Sequence, residues 1–343
     1  MSAKIRRIVL ARHVEGAPTP QDFRLETIDM PALAAGQFLA RTLAISVDPG
    51  TRSRLSGGAS YAAGLKIGDT VDGFCVARVV ESLHPGFTPG DLITAGAGWC
   101  DHFIGDGRGY LGRLPAAGAG SSPPLSAWIG VLGVPGMTAY FGLRRVAQMQ
   151  AGARVLVTSA AGPVGATAGQ LARIWGASRV AGVAGGERKC AWLRETAGFD
   201  AVLDRHAESD LGAALHAAMP EGVDVLFDNV GNAMIDLVLP LMRRGGRIVV
   251  SGQVADYNVA PQHRPALRNT APFITHRLRM EGLVVFDDLK AFPAAQSEMA
   301  ALIAAGRLAY VEERFDGLES APQAFCGLFR GENFGRRIVH LAE

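Results

Sequence analysis

A short β-branched run, Arg154–Thr158, leads into Ser159-Ala160-Ala161-Gly162-Pro163-Val164-Gly165 and then into an amphipathic stretch that reaches Trp175. The run has the composition of a buried parallel strand, and Gly176 is placed to end the helix that follows. Pro163 stands where a first-turn proline is tolerated, because its missing N–H has no partner inside the helix. Gly162, Gly165 and Gly169 fall at i, i+3 and i+7, on one helical face. They remove side chains where backbone must approach a pyrophosphate and where a helix must lie close on its strand. The pattern is A-x-G-x-x-G, with Ala160 in the place of a first glycine. Such a pattern is weak by itself. Between a strand and a helix it reads as a dinucleotide-binding turn rather than a flexible loop, with Ala161, Gly162, Pro163, Val164 and Gly165 as its contact residues.

The next strand-like run, Arg179–Ala184, ends in Gly185-Gly186-Glu187-Arg188-Lys189. A site for NAD carries Asp or Glu at this point to bind the ribose 2′-hydroxyl. Here two glycines leave room, and Arg188 or Lys189 can offer a cation to a 2′-phosphate. The alternative is that both cations merely decorate the first turn of the next helix, where they oppose its dipole. The missing acid favours NADP over NAD.

Other chemistry is conspicuous by its absence. The chain has no H-E-x-x-H, no G-x-S-x-G and no C-x-x-C. Tyr61, Tyr110, Tyr140, Tyr257 and Tyr310 are followed at +4 by Leu65, Leu114, Arg144, Pro261 and Arg314, so no Tyr-Lys proton relay is expected. The 8 histidines are isolated, and Cys75, Cys100, Cys190 and Cys326 are scattered, which argues against a disulfide framework and a zinc site alike. Idle thiols in a reducing cytoplasm are the better reading. A net charge of +2 gives no case for nucleic acid, and Arg243-Arg244 and Arg336-Arg337 read as solvated faces. The opening MSAKIRRIVLARHVE has too short an apolar run for a signal peptide, and no stretch is long enough to span a membrane.

The elements that must position this turn fall into two parts. Residues 1–130 are β-rich, with short runs at Ile5–Ala11, Phe38–Val47, Thr70–Val80 and Leu92–Ala95. Turn clusters separate them at Pro18–Pro20, Gly57-Gly58, Gly68-Asp69, Pro85-Gly86 and Pro89-Gly90-Asp91. This predicts a small barrel or folded sheet. Gly118–Pro124 reads as a linker or exposed loop. Strands then alternate with helices: Arg154–Thr158, Arg179–Ala184, Ala201–Asp204, Val223–Asn229, Arg247–Gly252 and Leu283–Phe286, with Val164–Trp175, Glu187–Ala197, Glu208–Met219 and Asn232–Met242 between the first five. That alternation predicts a doubly wound parallel sheet over 131–308. Ala255–Gln262 lies where a ligand loop projects from the carboxyl edge. After a helix at Ala291–Gly306 the chain becomes β-like again, at Ala309–Phe315 and Arg337–His340, so 309–343 is expected to complete the first domain.

Several further pieces carry a resemblance: Ser46-Val47-Asp48-Pro49, Gly133–Leu143 (GVPGMTAYFGL), Ala160–Gln170, Phe227–Gly231 (FDNVG), Ala255–Asn258 (ADYN), Arg279–Phe286 (RMEGLVVF) and Gly331–Gly335 (GENFG). In this order, over nearly the whole length, the chain resembles the zinc-independent medium-chain dehydrogenases/reductases, in particular the prostaglandin reductase / alkenal double-bond reductase group. The resemblance implies an α/β protein in which a GroES-like β-rich domain accompanies a Rossmann domain, with the nicotinamide of NADPH in the cleft between them. It implies roles for Met137 and Thr138 beside the nicotinamide, Gly162 and Gly165 under the pyrophosphate, and Lys189 at the 2′-phosphate. Asn229 is expected near the cofactor, Tyr257 near the nicotinamide ribose and active site, and Asn333 reaching the cofactor from the tail. Arg205 stands where the family often has Tyr, and adds a second cation near the 2′-phosphate; Gly185 leaves that group its space.

The implied activity is NADPH-dependent reduction of the activated C=C bond of an enone or enal, without a metal. Hydride goes to the β-carbon, the growing charge on the carbonyl oxygen takes a donor such as the Tyr257 O–H, a backbone N–H or a cofactor ribose hydroxyl, and Tyr257 or water protonates the α-carbon. A quinone reductase on the same scaffold and a nucleotide-binding protein without turnover are the rivals. The expected partners are a small-molecule substrate and a second copy, joined edge to edge through the strand around Leu283–Phe286. One departure bears on the substrate: the family usually reads V-D-P-Y-M-R, and this chain reads Val47-Asp48-Pro49-Gly50-Thr51-Arg52. A phenol that would line the cleft is gone. Gly50→Tyr is therefore expected to change the ratio of kcat/KM between bulky and small enones, and an unchanged ratio would show that position 50 does not face substrate.

Overall fold

The structure is a computed structural model and describes residues 4–57, 63–115 and 123–341. Gly58, Tyr61 and most of the expected linker at Gly118–Pro124 lie outside the described residues. The strands are β1 (Lys4–Leu10), β2 (Phe23–Asp29), β3 (Phe38–Ser46), β4 (Cys75–Ser82), β5 (Leu92–Ala95), β6 (His102–Gly105) and β7 (Leu111–Arg113). Next come β8 (Arg154–Thr158), β9 (Arg179–Ala184), β10 (Ala201–Asp204), β11 (Val223–Asp228), β12 (Met242–Val250) and β13 (Arg279–Gly282). The tail adds β14 (Glu312–Asp316) and β15 (Arg336–His340). The helices are α1 (Val134–Phe141), α2 (Pro163–Ile174), α3 (Glu187–Glu195), α4 (Leu211–Ala218), α5 (Asn232–Val238), α6 (Ala271–Thr275), α7 (Phe292–Ala304) and α8 (Ala321–Cys326). Two compact units result: Met1–Ile129 with Glu312–Glu343, and Gly130–Val311.

In the first unit a sheet runs β14-β15-β3-β4-β5-β7, with β6 also on β3, and β1 and β2 form a separate antiparallel ribbon. Its core gathers Phe38, Ile45, Trp99 and Phe325, and the rings of Phe23, Trp99 and Phe325 meet at 5.5–5.9 Å. β2 escapes a sequence reading because FRLETID buries fully only Phe23 and presents no apolar run. β4 starts at Cys75 rather than Thr70, since Thr70 makes only an isolated bridge to Val9. Arg336 and Arg337 are not a solvated face, as expected from sequence, but are 4% and 6% exposed. They sit on β15, which is paired on both sides, by β14 and by β3. Arg336 places Nη1 2.7 Å from the Asp48 carboxylate and donates Nε–H to the Ile129 carbonyl at 3.1 Å. Arg337 donates to Glu313 at 2.9 Å and to the Ala324 carbonyl at 3.0 Å. Interior strand position, with a carboxylate for each guanidinium, explains how two cations are buried.

The second unit is a six-stranded sheet in the order β10-β9-β8-β11-β12-β13, parallel throughout. This is the 3-2-1-4-5-6 order of the doubly wound fold, with its crevice beyond the carboxyl ends of β8 and β11. The expected sixth strand is displaced: the ladder runs Arg247↔Arg279 to Val250↔Gly282 and stops where β12 stops, so Leu283–Phe286 leaves the sheet and enters a 3-10 turn at Val285–Ala291. α2 lies close on the sheet where Gly165 and Gly169 leave its inner face bare. A Cβ on Gly169 would fall 1.9 Å from Cζ of Phe199, and a Cβ on Gly182 in β9 would fall 2.9 Å from the same ring. Phe199, 5% exposed, fills the space that the two glycines leave. Within a helix Gly→Ala is ordinarily stabilising by up to about 1 kcal/mol. Here Gly169→Ala is expected to lower stability by about 1–3 kcal/mol through overpacking. Adding Phe199→Leu should restore part of it, as read from urea midpoints. A midpoint that rises in the single variant would show that α2 is free to move off the ring.

Candidate functional site

The turn after β8 is built by one backbone kink and one bare approach. Ser159 has φ +48°, a left-handed conformation that costs a non-glycine residue energy and concentrates at functional turns. The kink falls one residue before Ala160, which explains why Ala160 substitutes for a glycine: it is buried, its φ is ordinary, and its N–H donates to the Val183 carbonyl at 2.9 Å. Gly165 then passes so close that a Cβ would lie 2.5 Å from the Ser159 carbonyl oxygen. α2 starts at Pro163 behind Gly162, and no side chain caps it. A 12-residue helix with an uncapped N-terminus at the carboxyl edge of a parallel sheet, faced by Gly162, suits a bound phosphate.

β9 ends against a bare floor, Gly185. A Cβ there would meet Nε2 of His206 at 2.6 Å and Nε of Arg205 at 3.1 Å, so both side chains lie over that glycine. Gly186 has φ +91° and precedes the first turn of α3, where Arg188 is exposed and Lys189 half-buried. Glu187 is ion-paired with Arg194. The acid at the end of the neighbouring strand, Asp204, is committed elsewhere: its Oδ1 accepts from the N–H of Gly186 at 2.9 Å and of His206 at 3.0 Å. Those bonds hold its carboxyl below the usual range. No carboxylate therefore takes the ribose-binding place, and the arrangement suits a 2′-phosphate. The position of His206 and the turn-holding role of Asp204 were not foreseen; the D-R-H run after a short strand was their only signal.

The third part joins the ends of β8 and β11. Asp228 is fully buried; its Oδ1 accepts from the Thr158 hydroxyl at 2.7 Å, and its Oδ2 from the N–H of Gly231 at 2.8 Å and of Val230 at 3.3 Å. Thr158 Oγ1 accepts in turn from the Asn229 N–H at 2.9 Å, and Asn229 Nδ2 donates to the Thr158 carbonyl at 2.8 Å. Burial pushes the Asp228 carboxyl up to about 6, nearby Asp256 adding to the effect and the three donors opposing it. Gly231 has φ +127°, and a Cβ there would fall 2.3 Å from Asp256 Oδ2. The loop after β12 brings Tyr257 back over this joint. A methyl group at Gly252 would lie 3.4 Å from the Asn229 carbonyl oxygen and 3.7 Å from the Tyr257 hydroxyl. Burial raises the Tyr257 phenol above its ordinary value, so it stays protonated at neutral pH.

The second unit thus brings together Ala161, Gly162, Pro163, Val164, Gly165 and the pair Asn229 and Tyr257 at neighbouring strand ends, with Gly185, Lys189 and Arg205 at the end of β9. On α1, Met137 is fully buried and Thr138 returns its hydroxyl to the Val134 carbonyl at 2.7 Å. Asp48, Gly50 and Asn333 belong to the first unit. Asp48 precedes the 3-10 turn Pro49–Arg54 that carries Gly50, accepts from Ser46 Oγ at 2.7 Å, and is paired with Arg336. Asn333 donates to the Gly335 carbonyl at 3.3 Å. Among the described residues no group of three metal-ligating side chains lies together.

Residues 6–112 match the family described as the N-terminal domain of oxidoreductase, and residues 163–304 match the zinc-binding dehydrogenase family. The chain is 41% identical over 344 residues to the NADPH-dependent curcumin reductase of Escherichia coli (strain K12), covering 98% of this chain and 97% of that one. It is 36% identical to the NADP(+)-dependent 2-alkenal reductase of Nicotiana tabacum, covering 97% and 96%. The crystal structure of CurA from Vibrio vulnificus in complex with NADPH superposes with a TM-score of 0.90 at 35% identity, covering 98% and 99%.

The Asp228 joint makes a pH prediction. A carboxyl at about 6 in the folded state and 3.8 when unfolded binds more protons folded than unfolded between those values. Its contribution is fully present below the unfolded value and is lost as pH rises through the folded one, by about 3 kcal/mol in all. Asp228→Asn cannot titrate, and its amide N–H₂ opposes donors that a carboxylate accepts. The variant should be less stable than wild type at pH 4, with the gap narrowing by up to about 3 kcal/mol toward pH 7 in urea unfolding. Parallel stability curves would show that the Asp228 carboxyl is not raised.

Proposed function

Since the chain belongs to the prostaglandin reductase / alkenal double-bond reductase group of the medium-chain dehydrogenases/reductases, we propose that it uses NADPH to reduce the activated C=C bond of α,β-unsaturated ketones and aldehydes. The observation that carries the cofactor half is the end of β9: Gly185 where NAD would want an acid, with Arg205 and His206 over it and Lys189 on the next turn. The pyrophosphate belongs at Ala161–Gly165 on the uncapped start of α2. Met137 and Thr138 on α1, Asn229 at the end of β11, and Asn333 from the tail are the remaining cofactor contacts by family correspondence.

The bound NADPH supplies the hydride for the β-carbon; the chain supplies position and a proton. Negative charge grows on the substrate carbonyl oxygen, and the Tyr257 O–H is the donor assigned to stabilise it in this reading. The same phenol then gives its proton to the α-carbon, directly or through water, and is restored from solvent. No carboxylate in this set competes for the role. Asp228 is walled in by three donors, and Asp48 is held by Arg336.

A homodimer through β13 is part of the reading. Among the described residues β13 pairs only with β12, all four of its residues are exposed, and Met280 and Val284 add exposed apolar side chains in and just after it. An antiparallel two-fold centred on Met280 would set Arg279 against Glu281 of the second copy. The cytoplasm is its proposed compartment, in keeping with four unpaired, buried cysteines; among the described residues no helix is long and apolar enough to cross a membrane.

The test is NADPH oxidation across enones, enals and simple quinones with both coenzymes. Turnover of enones with NADPH well ahead of NADH is expected. Quinones alone as substrates would move the assignment to a quinone reductase, and equal use of NADH would refute the cofactor. Charge-assisted bonds contribute ~1.5–3 kcal/mol and a tenfold change needs ~1.4, so Lys189→Ala should raise KM for NADPH about ten- to hundredfold. KM for NADH should barely move, and the loss should shrink at high salt.

A further inference from the structure

We propose that the His206 imidazole is a specificity-determining residue for the coenzyme, a direct ligand of the ribose 2′-phosphate that stands over Gly185 beside Arg205. The inference rests on the NADPH reading above and goes beyond it, because neither the glycine-rich turn nor the cations of α3 call for a histidine here. Three observations carry it. The imidazole is placed on the floor where a 2′ substituent belongs, with Nε2 only 2.6 Å from where a Gly185 Cβ would be. Its backbone is fixed there, since the His206 N–H and the Gly186 N–H converge at 3.0 and 2.9 Å on the same Asp204 oxygen. This ties the segment after β10 to the turn after β9. The side chain is nevertheless exposed, so it is available to a ligand and is not needed by the core.

The chemistry fits a phosphate monoester better than a hydroxyl. An imidazole offers an N–H in either tautomer and two when protonated, so it can donate to a phosphate oxygen in every state. Arg205 lies with it over Gly185 and both act on the Asp204 carboxylate, while Glu187, Arg188 and Lys189 form the first turn of α3 just after that glycine. Asp204 has one oxygen committed to the two N–H groups, and Glu187 is paired with Arg194. The cations dominate what a ligand would meet. Arg205 brings a planar fork and His206 a single directed donor from the same side, two geometries that hold a tetrahedral anion together.

The experiment is equilibrium binding of NADPH, NADH and 2′,5′-ADP to the full-length wild type, His206→Leu and His206→Lys. Nicotinamide fluorescence follows the dinucleotides and calorimetry follows 2′,5′-ADP. His206→Leu should weaken NADPH and 2′,5′-ADP about five- to twentyfold, the range of one charge-assisted contact at an exposed site, with NADH changed less than twofold. His206→Lys should restore most of the loss. A leucine variant that keeps its grip on 2′,5′-ADP overturns the proposal and leaves the NADPH reading on Lys189 and Arg205. Equal losses for NADH and NADPH, or failure of lysine to rescue, also overturn it, since the ring would then be shaping the turn. A wild type that binds NADH as tightly as NADPH defeats the NADPH reading itself.

Discussion

The Asp228 carboxylate is the joint on which the nucleotide-binding unit depends. It is fully buried, yet it stands at the point where the chain crosses from one half of the sheet to the other, between β8 and β11. Its two oxygens serve different masters: one takes the Thr158 hydroxyl and so fixes the end of β8, the other takes the Gly231 and Val230 N–H groups and so fixes the turn before α5. A buried charge is costly unless every lone pair is used, and here three donors use it. The penalty that remains is visible in the raised titration of the acid. What the protein gains is a rigid crevice at the switch point, with Asn229 and Gly231 held in one arrangement.

That rigidity propagates by close packing rather than by further polar contacts. Gly165 lets α2 rest on the Ser159 carbonyl, while Gly169 and Gly182 accept Phe199 between helix and strand. Each missing side chain lowers the helix toward the sheet and so brings its uncapped N-terminus to the turn after β8. Packing at this density transmits position, because neither helix nor ring has room to adjust. In the first unit the same economy is achieved with charge: Arg336 and Arg337 on an interior strand reach Asp48 and Glu313 respectively. Asp48 is thereby a structural anion, and Arg336 also ties the Val47 carbonyl, at 3.3 Å, into the start of the turn that bears Gly50.

Residues with strong periodicity were legible in the sequence, and residues whose role is relational were not. β8 and β9 begin and end where their apolar runs do, because a strand buried on both faces has little freedom in composition. The sixth strand was misplaced by its own apolar run: register with β12, not hydrophobicity, sets where β13 stops. The charged pair Arg336-Arg337 looked solvated because burial of a cation depends on partners brought by the fold, such as Asp48 for Arg336 and Glu313 for Arg337. Within the candidate site the glycines were legible, since absence of a side chain is itself the signal. Thr158, Asp204 and His206 were not. Thr158 and Asp204 act through groups the fold brings to them, His206 lies over a glycine at the end of a different strand, and Ser159, with its positive φ, gives no hint of it in its chemistry.

The division of labour at the site follows from these constraints. The carboxylates that end β10 and β11 are already spent, Asp204 on two N–H groups and Asp228 on three donors. An ionised carboxylate beside a growing enolate would in any case repel it. A tyrosine avoids that conflict. In the proposed role the Tyr257 phenol is neutral before the reaction and offers an O–H dipole to developing negative charge, and burial raises it further so that the proton is present throughout the neutral range. Giving up the proton to a carbanion is still downhill, because an enolate carbon is a stronger base than a phenolate. The raised phenol is thus better suited than a lowered one would be: it holds its proton until hydride transfer has created the base that takes it.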